Sequence, residues 1–350
     1  TTESATSASK SAIRTSRSVS RILSSVSRDF PAMAFRLADK RSLKLSNMSL
    51  PISNNRAASA GSAYYTPKRE KKLGESAVAM PDSEISQLLA LTATGAAALY
   101  LYTAARQLLR LEKREDTLPK AVLIPGLLAL ALHGLVIYMG TTSVSASFGF
   151  YKVASITFWL MGVLSVAIVI ARPMQTLLIA IFPLAAISLL VATLTPETAR
   201  PMTETPRGLL LHISTSIIAY ALFGLGMLQG LLVLQQSRLL RQHKTRGLIR
   251  RLPPLDATEQ LMFELILSGT VILSVSIVAG IYYVQDLFAQ HLIHKTVLTV
   301  IAWIVYAILT VGHIRHGWRV NTAVMLCGSG FALLTVGFYG SKLVLELVLS

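Results

Sequence analysis

The chain has little cysteine and little charge for its length. Cys327 is the single cysteine in 350 residues. An intramolecular disulfide and a multi-cysteine metal site are therefore both excluded. Charged residues make up 14% of the chain, against 53% hydrophobic. A soluble domain carries about 25% charge. Tryptophan is scarce as well, at three. No phosphate-binding glycine loop, zinc-protease helix or nucleophile elbow is present, so no bond-making catalysis is assigned to any residue and an enzymatic activity is not expected.

What is abundant is apolar sequence, and it is unevenly spread. Residues 1–79 are rich in Ser, Arg and Ala and carry no apolar stripe of useful length. They hold 14 Lys and Arg against 5 Asp and Glu, a net of +9 out of the chain's +16. Low hydropathy with high net charge is the composition of disorder. A transit-peptide-like leader, or a segment absent from the mature protein, fits it too. Met80, followed by Pro-Asp-Ser-Glu, reads as a natural start, which would leave 80–350 as the working domain. The basic excess does not point to nucleic acid, because positive charge in a chain of long apolar runs marks cytoplasmic loops.

After residue 80 the apolar runs reach the length a bilayer requires. A hydrocarbon core of about 30 Å needs about 20 helical residues. Eight segments qualify: 85–108, 119–140, 150–171, 173–195, 207–234, 263–284, 294–314 and 320–347. The expected fold is all-α, a polytopic bundle of about eight transmembrane helices. Pro253-Pro254 precedes Asp256 and Glu259, a capping-box spacing that predicts a helix from Asp256 running straight into the sixth span.

Loop charge predicts orientation. Arg106, Arg110, Lys113, Arg114 and Lys120 follow the first span. Arg238, Arg241, Lys244, Arg246, Arg250 and Arg251 follow the fifth, and Arg315 and Arg319 the seventh. Positive loops stay in the cytoplasm, so both termini are expected on the outer side.

Ionisable residues within spans are the default functional candidates, because placing them there is expensive. Seven histidines are present. His243 reads as a loop residue, and His313 and His316 as interfacial residues beside Arg315 and Trp318. At 1.5 Å per residue, His212 lies about 8 Å inside the outer end of the fifth span, and His133 about 10 Å inside that of the second. His294 opens the seventh span, within about one or two helical turns of that level. Neutral imidazoles at one depth on separate helices suit haem iron. A histidine hydrogen-bonded to a neighbouring helix is the plainer alternative.

Several local patterns sharpen this. One is Leu211-His212-Ile-Ser-Thr-Ser-Ile-Ile-Ala-Tyr220. A second is Pro253-Pro254-Leu-Asp-Ala-Thr-Glu259-Gln-Leu-Met-Phe263. A third is Asp286-Leu-Phe leading into His294-Lys295-Thr and Trp303-Ile-Val-Tyr306. Gly317-Trp318-Arg319 and Phe338-Tyr339-Gly340-Ser-Lys342 complete the set. On these, the chain from about Met80 onward resembles the cytochrome c assembly family of haem-handling membrane proteins, and within it the YpjD-type inner-membrane branch.

The resemblance implies a multi-pass protein of a bacterial inner (plasma) membrane. It implies haem b as cofactor, with His212 and His133 as iron ligands and His294 as a further haem-binding residue. The expected surroundings are membrane lipid and either cytochrome c assembly components or another inner-membrane protein. The chain departs from the full synthetases in one respect: 283–294 holds no Trp, where they carry a tryptophan-rich external loop. An accessory haem-binding role is therefore expected rather than haem attachment. A transporter or accessory subunit for divalent-cation handling, and a structural partner in a membrane complex, are the competing readings.

Overall fold

The computed structural model describes residues 82–113, 120–142, 149–172, 174–195, 207–242, 252–283, 290–318 and 320–340. All of them belong to one compact unit, Ser76–Ser350. The Ser/Arg-rich segment 1–79 lies outside the described residues.

Every described element is helical. The helices are α1 (Asp82–Lys113), α2 (Lys120–Thr142), α3 (Phe150–Ala171), α4 (Thr176–Leu194), α5 (Arg207–Arg241), α6 (Leu255–Tyr283), α7 (Gln290–His316) and α8 (Val320–Thr335). A π-helical turn, Val336–Gly340, closes the series. All eight are long and apolar enough to cross a membrane when the π turn is counted with α8. A closed set of backbone hydrogen bonds within each helix is what the bilayer core demands. Pro125 in α2 and Pro183 in α4 sit inside helices, as neighbouring spans permit.

Many of the large side chains that face outward along the spans are apolar. Leu91 is 70% exposed, Leu194 72%, Ile281 63% and Met325 69%. In water such a surface would aggregate, whereas in lipid it is the favourable one.

Inside, the helices form two packed groups of four. The first is built on Tyr100 of α1, Val122 and Leu130 of α2, Val166 of α3 and Phe182 of α4. The second is built on Phe223 of α5, Met262 of α6, Tyr306 of α7 and Cys327 of α8. Phe223 and Tyr306 stack at its centre, with ring centroids 3.7 Å apart and planes 10° from parallel. The Tyr306 hydroxyl donates to the Cys327 carbonyl over 3.3 Å. A third cluster joins the groups: Met161 of α3 and Leu177 and Ile181 of α4 meet Leu222 and Leu225 of α5 and Leu265 of α6. Helices α5 and α6 share the most extensive interface. Gly226 of α5 lies against Ile266 and Leu265, and Gly230 against Met262 and Val324, so small residues bring these helices close.

Two helix ends differ from expectation. Helix α6 begins at Leu255, so Asp256 is in the first turn rather than at the cap. The cause is local: Pro254 has no N–H to lose and offers its carbonyl to the backbone N–H and the hydroxyl of Thr258, both at 3.1 Å. An acidic residue in that turn still complements the helix dipole. Helix α5 runs to Arg241, about two turns beyond the apolar run that ends at Leu234. Between α3 and α4, Arg172 is extended at φ −145° and ψ 148°, the conformation that a following proline imposes. Helix α7 ends on Gly317, whose φ of +57° is left-handed and whose N–H reaches the His313 carbonyl at 3.1 Å.

Candidate functional site

Consecutive spans alternate in direction, so the C-terminal end of α2 and the N-terminal ends of α5 and α7 lie at the same end of the bundle. This places the three candidate histidines on one side. Their surroundings differ.

His133 is fully buried within the first group of helices. The Tyr100 hydroxyl lies 3.2 Å from its Nδ1, and Ser155 Oγ lies 2.8 Å from its Nε2. Both ring nitrogens are thus engaged, by side chains from α1 and α3. Tyr100 also meets the imidazole edge to face, with centroids 5.8 Å apart. This is the bond to neighbouring helices that the plainer sequence reading describes. To ligate iron, His133 would have to surrender one of these bonds.

His212 is half-buried, five residues past Arg207 in α5. Its Nδ1 lies 2.8 Å from the backbone carbonyl oxygen of Ser276 on α6. A carbonyl can only accept, so Nδ1 carries the proton and donates it. In the neutral ring Nε2 then bears the lone pair. No hydrogen-bond partner of Nε2 occurs among the described residues. A ring N–H anchored on a backbone carbonyl, with the other nitrogen left free, is the outer-shell arrangement typical of metal-ligating histidines.

The α6 face is shaped to receive this ring. Ser276 Oγ bridges to the His212 carbonyl at 3.2 Å and to Ser216 Oγ at 2.6 Å, which pins the two helices at this level. One turn further on, Gly280 lies beside the imidazole. A Cβ at Gly280 would come within 3.0 Å of Cε1 and 3.1 Å of Nδ1. Residues four apart share a helix face, so Ser276 and Gly280 together form the seat of His212. The spacing Ser276-x-x-x-Gly280 is visible in the sequence. Small pairs at that spacing are ordinary packing in membrane helices, so the spacing alone marks no site.

His294 lies four residues past Gln290 in α7, and its side chain is outside the described residues. At the opposite end of the bundle, His313 stacks on Phe263, with centroids 3.3 Å apart. It is therefore packed between α7 and α6 rather than only lying at an interface. No group of three or more His, Cys, Asp or Glu among the described residues could hold a metal ion.

Below His212, an aromatic group fills the space between α3, α5 and α8. Tyr220 packs against Phe331, Phe338 and Tyr339, with centroids 5.0, 5.8 and 5.4 Å away. Its hydroxyl is 2.9 Å from Thr335 Oγ1, and Tyr339 reaches Thr157 Oγ1 at 3.1 Å. These are the Tyr220 and Phe338-Tyr339 positions of the sequence patterns, brought together from chain segments more than a hundred residues apart.

The family described as "Cytochrome C assembly protein" matches residues 121–349, well over half of the chain. The chain belongs to this family. The Inner membrane protein YpjD of Escherichia coli K12 is 32% identical over 170 residues, 48% of this chain and 64% of that protein. An uncharacterised 28.8 kDa protein of Azospirillum brasilense is 30% identical over 141 residues, 40% of this chain and 52% of that one. Protein HemX of Brevibacillus brevis is 26% identical over 148 residues, 42% of this chain and 54% of it. The chain thus spans less than two thirds of the length of these relatives. No solved structure matches it at a significant level. This cytochrome c assembly family member is accordingly a multi-span membrane protein related to cytochrome and haem handling, and His212 stands within the matched region.

Proposed function

We propose that this chain is a haem-binding protein of the bacterial inner membrane, accessory to cytochrome c assembly, in which His212 Nε2 would hold the iron of haem b. The observation that carries the reading is the His212 Nδ1–H donated to the Ser276 carbonyl at 2.8 Å, which leaves Nε2 as a free, oriented donor of electrons. Family membership supports the choice of haem, and the kinship with an inner-membrane protein supports the location. His294, near the same end of the bundle, is the candidate for a second ligand. His133 in its present bonding serves as a tie between α1, α2 and α3.

Haem bound at His212 would supply an iron centre for holding or passing on the cofactor. The chain's own contribution is to fix the imidazole tautomer and to keep space beside it. The loop charges support both termini on the outer side, and with that orientation His212 would lie near the outer surface. Cytochrome c assembly components are the partners this reading expects. Divalent-cation handling finds no convergent ligand group among the described residues.

The test is the absorbance spectrum of the purified chain before and after addition of haem. A Soret band that saturates near one haem per chain is expected. A protein that remains colourless after supplementation would overturn the reading.

A further inference from the structure

At the end of the bundle away from His212, a cleft of about 330 Å³ opens between α3 and α6. Leu222 of α5 and Leu261 and Leu265 of α6 form its buried floor. Ala167 on α3 and Ser268 on α6 are exposed and small, and their size leaves the gap open. The volume lies at the lower end of the range of about 300–1,000 Å³ found for small-molecule sites.

One edge of the cleft is charged. Arg172 Nη2 lies 2.8 Å from Glu264 Oε2 and 3.1 Å from Oε1. The Arg172 side chain is 34% exposed and that of Glu264 42%. Gln260 donates to the same Glu264 oxygen at 3.1 Å. The remaining guanidinium donors of Arg172 have no partner among the described residues. Glu264 is 20 residues from the far end of α6 at Tyr283, counting both, which at 1.5 Å per residue is about the thickness of a hydrocarbon core. The pair therefore stands where the acyl region of a bilayer gives way to headgroups.

An exposed ion pair contributes little to stability by itself. Two opposite charges held side by side above an apolar slot do match one kind of ligand in full. We propose that this cleft binds a membrane phospholipid with an ethanolamine headgroup. An acyl chain lies over Leu222 and Leu265. The phosphate takes the free Arg172 donors, and the primary ammonium takes the outer face of the Glu264 carboxylate. A phosphatidylglycerol headgroup would satisfy Arg172 and leave Glu264 facing net negative charge. A choline headgroup has no N–H to donate to Glu264.

Native mass spectrometry of the detergent-purified full chain tests this, titrated in turn with ethanolamine, choline and glycerol phospholipids of identical acyl chains. One ethanolamine lipid is expected to bind about tenfold more tightly than the other two. Glu264→Gln should remove most of that preference, and Ala167→Phe should lower binding of all three by filling the slot. Equal binding of the three lipids by the unaltered chain, or a preference for the glycerol lipid, would overturn the proposal. So would a Glu264→Gln chain that keeps the ethanolamine preference. The headgroup ranking is measured on the unaltered chain and stands even where a variant fails to fold.

Discussion

His212 on α5 and Ser276 on α6 are joined by a 2.8 Å hydrogen bond from the imidazole Nδ1 to a backbone carbonyl. The acceptor is main chain, and the Ser276 Oγ lies 3.3 Å from the same nitrogen. The tautomer of His212 is thus built into the packing of α5 on α6. That packing is the most extensive among the described helices, so the imidazole is held between two packed helices rather than by a loop.

Gly280 is the residue whose change should disturb this site most selectively. A Cβ there would stand 3.0 Å from His212 Cε1, closer than ordinary contact. Gly280→Val should push the ring off the Ser276 carbonyl and weaken haem binding by about tenfold, with a stability cost of about 1–3 kcal/mol. Haem titration followed at the Soret band, beside thermal unfolding, measures both. Unchanged haem affinity would show that the ring does not need this seat.

His133 should behave in the opposite way. Replacing it with Phe leaves the Tyr100 hydroxyl and Ser155 Oγ without their partner. Each buried polar group so orphaned costs about 1–3 kcal/mol. The expected result is a lower unfolding temperature with the haem spectrum retained. Loss of the Soret band in a folded His133→Phe protein would instead make His133 a ligand.

Gly317 tests the end of α7. Its φ of +57° suits glycine, and a Cβ there would meet open space among the described residues. Gly317→Ala should cost about 1 kcal/mol from backbone strain alone, with no change in haem binding. Gly312 differs, since a Cβ there would come within 2.6 Å of the Trp318 ring. Gly312→Ala should therefore be the more damaging of the two, by thermal unfolding. Equal costs would show that Trp318 moves aside freely.

The eight spans were legible because bilayer thickness acts on length and composition alone. Phe150–Ala171 is read to the residue, and the helix through Asp256 into the sixth span is continuous as the sequence suggests. Helix ends beyond the apolar band, such as 235–241 of α5, were not legible, since charged residues outside the bilayer carry no hydrophobic signal. The candidate site was half legible. His133 and His212 stand out alike in sequence, because both are expensive residues in apolar runs. What separates them is which groups face the imidazole: Tyr100 and Ser155, one on each ring nitrogen, in one case, and Ser276, whose carbonyl and Oγ both lie on the Nδ1 side, with Gly280 in the other. Those partners come from other helices, 22 to 64 residues away for the hydrogen bonds, and no spacing rule within one helix reports them. The Arg172–Glu264 pair is of the same kind, with 92 residues between its members.

The central claim is that His212 Nε2 holds haem iron. Its most direct test is the absorbance spectrum of purified His212→Gly with equimolar haem, recorded before and after adding free imidazole. The account predicts a Soret band much weaker than that of the unaltered chain, recovering when imidazole takes the vacated position. A His212→Gly spectrum identical to that of the unaltered chain, with no response to imidazole, would contradict it.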